Sequence, residues 1–158
     1  GSGGNPLAHT MSSAKIERII LNDVQASELL LHGTIASKYH IPLTFVSGDS
    51  VICKEVKNIS PNTVTHATMH GAGDSSISLQ PGLSINIIRR KSEESLNGEL
   101  KKCTWAYPSR FKLTIRYMKH VDAYKASQYP GAKMLTSKSV CYEDRDYDNI
   151  MRFILFCV

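Results

Sequence analysis

From Lys15 to Lys57 the chain reads as strand, helix, strand, glycine-containing loop and helix, and this order limits the fold more than any other feature. Lys15 to Leu21 (KIERIIL) alternates and then turns continuously apolar, as a strand entering a core does. Asn22-Asp23 supplies a turn, and Asp23 or Ser27 caps the helix expected from Gln25 to Lys38. Leu29, Leu30 and Ile35 form the expected buried side of that helix, and Gly33 marks a close packing contact or a weak point. Leu43 to Val46 is a short apolar strand of the kind buried on both faces. Ser47-Gly48-Asp49-Ser50 closes it, and a short helical pattern runs on through Lys57. The expected fold class is therefore α/β, a mixed, mostly parallel sheet with flanking helices.

The remaining segments extend this layer. Gly1 to Pro6 is a loop by composition, Asn62 to Thr68 a third strand, and Met69 to Asp74 a flexible connection. Pro81 opens a helix that turns Leu83, Ile87 and Ile88 inward. After Pro108 the texture changes: Phe111 to Tyr117 alternates strictly, the mark of a strand with one solvated face. A helix at Val121–Gln128, strands at Ala132–Thr136 and Ser139–Glu143, and a closing apolar helix at Tyr147–Cys157 make a smaller β-α-β-β-α tail. Residues 1–107 thus form an α/β portion and 108–158 a second portion, expected to pack into the same domain.

At 158 residues the chain suits one domain with a real core. The net charge of +5 is spread out: Arg89-Arg90-Lys91 is answered by Glu93-Glu94, and no basic stripe interleaves with aromatics, which argues against a nucleic-acid partner. No apolar run reaches the length of a membrane span, so no membrane partner is expected. Cys53, Cys103, Cys141 and Cys157 are far apart and read as reduced thiols, which suggests a cytoplasmic location. The chain does not begin with Met and has no signal pattern, so it is expected to be processed, cut from a larger protein or trimmed.

Four places carry candidate chemistry. Glu28 and His32 stand four apart on the expected helix, so both side chains rise from one face, a spacing by which a helix can offer two ligands to one metal ion. A surface carboxylate beside a packed imidazole is the plainer reading. Leu7-Ala8-His9-Thr10-Met11 sets a histidine among small and apolar residues in a loop. Asp49 lies at the carboxyl end of an expected strand, where α/β sheets collect ligands, and it also stands where a helix cap belongs. His66 and His70 are four apart across an expected strand-to-loop boundary; a metal pair and a plain surface loop both fit, and His70 is a candidate substrate contact.

In this order the motifs resemble the C-terminal portion of the DppA-type D-aminopeptidases, zinc peptidases that assemble into rings. GSGGNPLAHTM resembles the family's glycine-rich loop ending in a histidine motif, which implies that His9 is the catalytic residue. SELLLHGTIASKYHIPLTFVSGDS resembles the family's helix with its metal-binding glutamate, which implies that role for Glu28. SLQP, FKLTIRY, YPG and SVCYEDRDY follow the family pattern to the end.

The departures matter as much. The family's other metal ligands, an Asp-x-Glu and two histidines, have no counterpart in this chain. His32 stands where asparagine is usual, Ser27 replaces a glycine, and THATMHGAGD lacks a common lysine. The resemblance implies a zinc-dependent aminopeptidase, with two ions in the complete enzyme, acting on short peptides that carry an N-terminal D-residue. It implies a homo-oligomer, or a companion chain supplying the other ligands, and inactivity without them. Zinc takes about four donors, so His32 is either a replacement ligand beside Glu28 and His9 or only a neighbour. The competing class is a non-catalytic remnant or partner subunit that keeps the fold and its assembly surfaces.

Overall fold

The structure, a computed structural model, describes residues 3–158; Gly1 and Ser2 of the expected first loop lie outside the described residues. In chain order the elements are β1 (Ile16–Leu21), β2 (Val24–Gln25), α1 (Glu28–Lys38), β3 (Phe45–Asp49), α2 (Ser50–Ile59), β4 (Val64–Ala72) and β5 (Ser75–Ser78). Then come α3 (Pro81–Leu96), β6 (Phe111–Tyr117), α4 (His120–Ser127), β7 (Lys133–Thr136), β8 (Ser139–Asp144) and α5 (Tyr147–Cys157), with a 3-10 turn at Leu100–Cys103 before β6. No helix among the described residues is long and apolar enough to cross a membrane. All four cysteines are free thiols.

The strands form two sheets, in place of the expected mostly parallel one. The larger is antiparallel throughout, in the order β2-β1-β6-β8-β7. The smaller has the order β3-β4-β5 and holds the parallel pair, β3 with β4, while β5 returns antiparallel. One pair of the larger sheet, β1 with β2, is made locally. Asn22 and Asp23 both sit at positive φ, 47° and 67°, and Leu21 pairs with Val24, so the chain turns in a two-residue hairpin. Two left-handed residues in succession suit the twist of paired strands. The start of the expected helix, Gln25, is drawn into β2, and α1 begins three residues later.

Residues 9–32 and 108–158 form one compact unit. Its centre is β6, whose apolar residues Phe111, Leu113, Ile115 and Tyr117 alternate with outward polar ones and are essentially removed from water. They stand across from the buried Ile16, Ile19 and Leu21 of β1 and from Val140, buried, and Tyr142, half-buried, of β8. From α5, Tyr147, Ile150 and Phe153 are fully buried, spaced by three as one helical face requires. The Tyr147 ring lies 4.7 Å from that of Phe111, and its hydroxyl donates to the Leu31 carbonyl at 2.9 Å. The solvated face carries an ion pair between Arg116 and Glu17 at 2.9 Å.

Residues 3–8 and 33–107 form the other unit, and the division falls inside α1 after His32. A side chain at Gly33 would strike the Trp105 ring, so the glycine marks close packing. The buried positions of α1 are Leu31, Thr34 and Ser37, not the expected Leu29, Leu30 and Ile35, which are half-buried. In β4 the strand runs on through Ala72, so Met69 to Ala72 is paired backbone and not a loose connection. Gly73, at φ +60°, opens the tight turn into β5. Pro81 begins α3 as expected, and Gln80 Oε1 accepts from Leu83 N at 2.7 Å.

The end of α1 generates a test. Ile41 N donates to Ala36 O at 2.9 Å and His40 N to Ser37 O at 3.0 Å, with His40 at φ +56°. That pattern is a Schellman cap whose left-handed residue is usually glycine. A side chain there costs about 1–2 kcal/mol, partly offset by the extra freedom glycine has when unfolded. His40→Gly is expected to raise stability by up to about 1 kcal/mol, read as a higher urea midpoint at unchanged slope.

Candidate functional site

The loop holding His9 is anchored on both sides of that residue. Upstream, Asn5 makes a turn: its Oδ1 accepts from Leu7 N and its carbonyl from Ala8 N, each at 2.9 Å. Downstream, Thr10 is buried and its hydroxyl donates to Ala26 O at 3.3 Å. Met11, at φ +60°, donates its backbone N–H to Glu28 Oε1 at 3.0 Å. The two residues after His9 are therefore tied to the start of α1, while His9 itself is exposed. An exposed imidazole on a fixed loop can carry a proton to or from a bound molecule.

Ser27 caps α1: its Oγ accepts from Leu30 N at 3.2 Å, and its carbonyl accepts from Leu31 N. Asp23, the other capping candidate, is used by the hairpin. Glu28 then occupies the first turn, where a carboxylate is favoured by the helix dipole. Glu28 and His32 are both exposed on one face of this helix, one turn apart. Met11 N holds one carboxylate oxygen of Glu28.

In the other unit, Asp49 is the N-cap of α2, with Oδ1 accepting from Val51 N and Ile52 N at 2.9 Å each. A side chain at Gly48 would press on Ile52, so the strand-to-helix turn depends on that glycine. His70 is exposed on β4, paired with Ile77 of β5. Next to it, Gly71 lets the backbone of Gly4 and Asn5 lie directly against the strand; a Cβ there would collide with the Gly4 carbonyl.

His66, also on β4, is half-buried, and its Nε2 is sealed from water without a hydrogen-bond partner. Burial holds its pKa below the ordinary value of 6.5, and the nearby charges of Lys91 and Arg90 act the same way. Its spacing from His70 was visible in the sequence, but its burial depends on the packing of α3 against β4. Among the described residues no three His, Cys, Asp or Glu side chains come together as a group able to hold a metal ion. His9, Glu28 and His32 are no such group, so the described residues by themselves do not fit a complete zinc site.

Comparison with known proteins adds three findings. The family model described as D-aminopeptidase, peptidase M55, matches residues 1–156. A D-aminopeptidase of Bacillus subtilis (strain 168) is 25% identical over 142 residues, which are 89% of this chain and 52% of the relative. The solved structure titled as the Zn-dependent D-aminopeptidase DppA from Bacillus subtilis, a self-compartmentalizing protease, shares the fold with a TM-score of 0.80 at 23% identity. That match covers 95% of this chain and 57% of the other, so the chain spans about half the length of the relatives it matches.

Two outcomes follow from these contacts. Glu28→Ala removes the acceptor for Met11 N–H, whereas Glu28→Gln keeps an oxygen in place. Hydrogen exchange at the Met11 amide is expected to speed up about tenfold or more in the alanine variant and to stay slow in the glutamine variant. For His66, the folded pKa lies below the unfolded one, so its stabilising contribution is full above about pH 6.5 and is lost as pH falls. Between pH 7.5 and 5.5, to orders of about one unit either side of that value, the urea midpoint is expected to drop less in His66→Gln than in the unaltered protein.

Proposed function

The chain belongs to the D-aminopeptidase family, peptidase M55, and on that premise we propose that it serves hydrolysis of the N-terminal peptide bond of short peptides carrying a D-residue. The observation that carries this reading is the hydrogen bond from Met11 N to Glu28 Oε1, which couples the His9 loop to the helix of the candidate ligand. In it His9 moves the proton, as base or as donor to the developing oxyanion, and Glu28 is a metal ligand. The unit of β3 and β4 offers substrate contacts of its own, His70 and, with whatever its capping role leaves over, Asp49.

Zinc, named for the solved relative, is the proposed cofactor, as a pair of ions. Its donors come in part from outside the described residues, supplied by more of the same polypeptide, by a companion chain or by another copy in a homo-oligomer. His32 is read as a neighbour of that centre. We place the protein in the cytoplasm on the strength of its free thiols.

A second reading rests on a specific observation: no group of three potential metal ligands forms among the described residues. In that reading the chain is a non-catalytic partner subunit with a structural, oligomer-forming role.

The test is release of p-nitroaniline from D-alanyl-p-nitroanilide with zinc present. The chain is assayed alone and co-expressed with the part of the Bacillus subtilis relative that it does not span. The expected result is silence alone and turnover in the pair, reduced at least about a hundredfold by His9→Ala with an unchanged melting temperature, because His9 is exposed. Turnover that survives His9→Ala removes His9 from the chemistry, and silence in both arms favours the non-catalytic reading.

A further inference from the structure

One buried polar atom in the unit of β3 and β4 goes unanswered: His66 Nε2 is sealed from water and has no hydrogen-bond partner. The strand decides which way it faces. Thr65 and Ala67 border a pocket together with Ser50, Cys53 and Lys57 of α2, so alternation along β4 turns His66 to the opposite face. On that face α3 packs against β3 and β4.

The seam that α3 lays there is thin. Ser84, Ile87, Ile88, Lys91 and Ser92 are half-buried and Ser95 is buried, while the residues between them are exposed. Steps of three and four residues draw one helical face, and only its two isoleucines are hydrocarbon throughout. So little apolar contact puts the docking of this helix at the low end of local stability. Lys91 stands on the seam itself, and its charge is felt by the Cys53 thiol as well as by His66, as an ammonium turned toward the sheet would be.

The charges that act on His66 are those of Lys91 and Arg90, both positive. Glu93 and Glu94 of α3 are exposed, off the seam. The register partner of His66 on β3 is Ser47, and its neighbours on its own face of β4 are Val64 and Thr68, all uncharged, with the exposed His70 farther along. The titratable groups of α2, Cys53, Lys54, Glu55 and Lys57, and its cap Asp49 belong to the other side of the sheet. Burial raises the Cys53 pKa and keeps that thiol neutral, and the Lys57 ammonium is held by the carbonyls of Pro61 and Thr63.

We propose that protonation of His66 releases α3 from β3 and β4, making this helix an acid-opened flap over the sheet. Neutral, the imidazole fits beneath the seam. Protonated, it sets a second positive charge against Lys91 and carries an N–H that no acceptor takes. Lifting α3 lets water reach both. The folded pKa of His66 lies below the unfolded value of 6.5, so the closed state is fully favoured above that pH and loses ground as pH falls below it. The device shares no residue with the loop of His9 or the face of Glu28 and His32, and it does not rest on the peptidase reading.

Amide hydrogen exchange of the whole chain, read as protection factors so that the intrinsic effect of pH drops out, tests this. From about pH 7.5 to about pH 5.0, protection of the amides from Ser84 to Ser95 is expected to fall about threefold or more. Amides of β6 are expected to hold theirs. His66→Gln cannot be protonated and is expected to abolish the fall. Lys91→Met keeps a good helix former and the packed stem, and is expected to move the midpoint of the His66 imidazole resonances upward, because a repelling charge is gone. The proposal is overturned if α3 is unprotected at the higher pH, or if its protection does not fall with acid. It is overturned equally if the fall persists in His66→Gln, if β6 loses protection together with α3, or if Lys91→Met leaves the imidazole midpoint in place.

Discussion

Everything in the unit that carries His9 and Glu28 depends on the burial of one face of β6. Phe111, Leu113 and Ile115 have 0% of their surface exposed and Tyr117 has 1%. Residues between them face outward, so the strand can sit centrally with β1 on one side and β8 on the other. Removing large side chains from water is the main favourable term in folding, at about 25 cal/mol per Å² of apolar surface. A one-residue slip of this strand would exchange Phe111, Leu113 and Ile115 for Lys112, Thr114 and Arg116 on the buried face. Hydrophobic burial therefore sets the register on which the neighbouring elements build.

From that core a short series of contacts reaches the candidate site. Phe111 packs on Tyr147, and the Tyr147 hydroxyl holds the Leu31 carbonyl, which fixes the first turns of α1. Leu31 is itself fully buried. Glu28 lies one turn earlier, and its carboxylate takes the Met11 amide. His9 is thus placed by two steps of hydrogen bonding from a fully packed tyrosine, although the histidine is itself exposed. A functional group on a loop needs such support, because small displacements in the reacting geometry are costly.

Asp49 shows how one residue satisfies two demands. Its Oδ1 closes two free N–H groups at the start of α2, which is enough to explain an aspartate after Ser47-Gly48. The same position lies at the carboxyl end of β3, the strand in the parallel pair, where ligands gather in α/β sheets. A metal centre makes a different demand. Donors must converge, and the described residues bring no three of them together. That is a statement about where side chains meet, which no single helix or loop decides.

Elements with a strong local signal were legible in the sequence. The strict alternation of β6, the apolar face of α5 and the Pro81 start of α3 each follow from periodicity or from proline's fixed backbone. The pairing of Glu28 and His32 on one face was equally readable, since helical geometry alone dictates it. Which strands pair was not. β1 and β3 read as strands of one mostly parallel sheet because an apolar run has the same appearance in a parallel or an antiparallel setting, and the structure pairs β1 with β6, nearly a hundred residues on. Leu31, Thr34 and Ser37 replaced Leu29, Leu30 and Ile35 as the buried side of α1 because tertiary packing, and not local apolarity, set the buried face, two of whose three residues carry hydroxyls. The bond from Met11 N to Glu28 was invisible for the same reason. Local chemistry in the sequence determined the elements and their polar faces; long-range burial alone decided which of them meet.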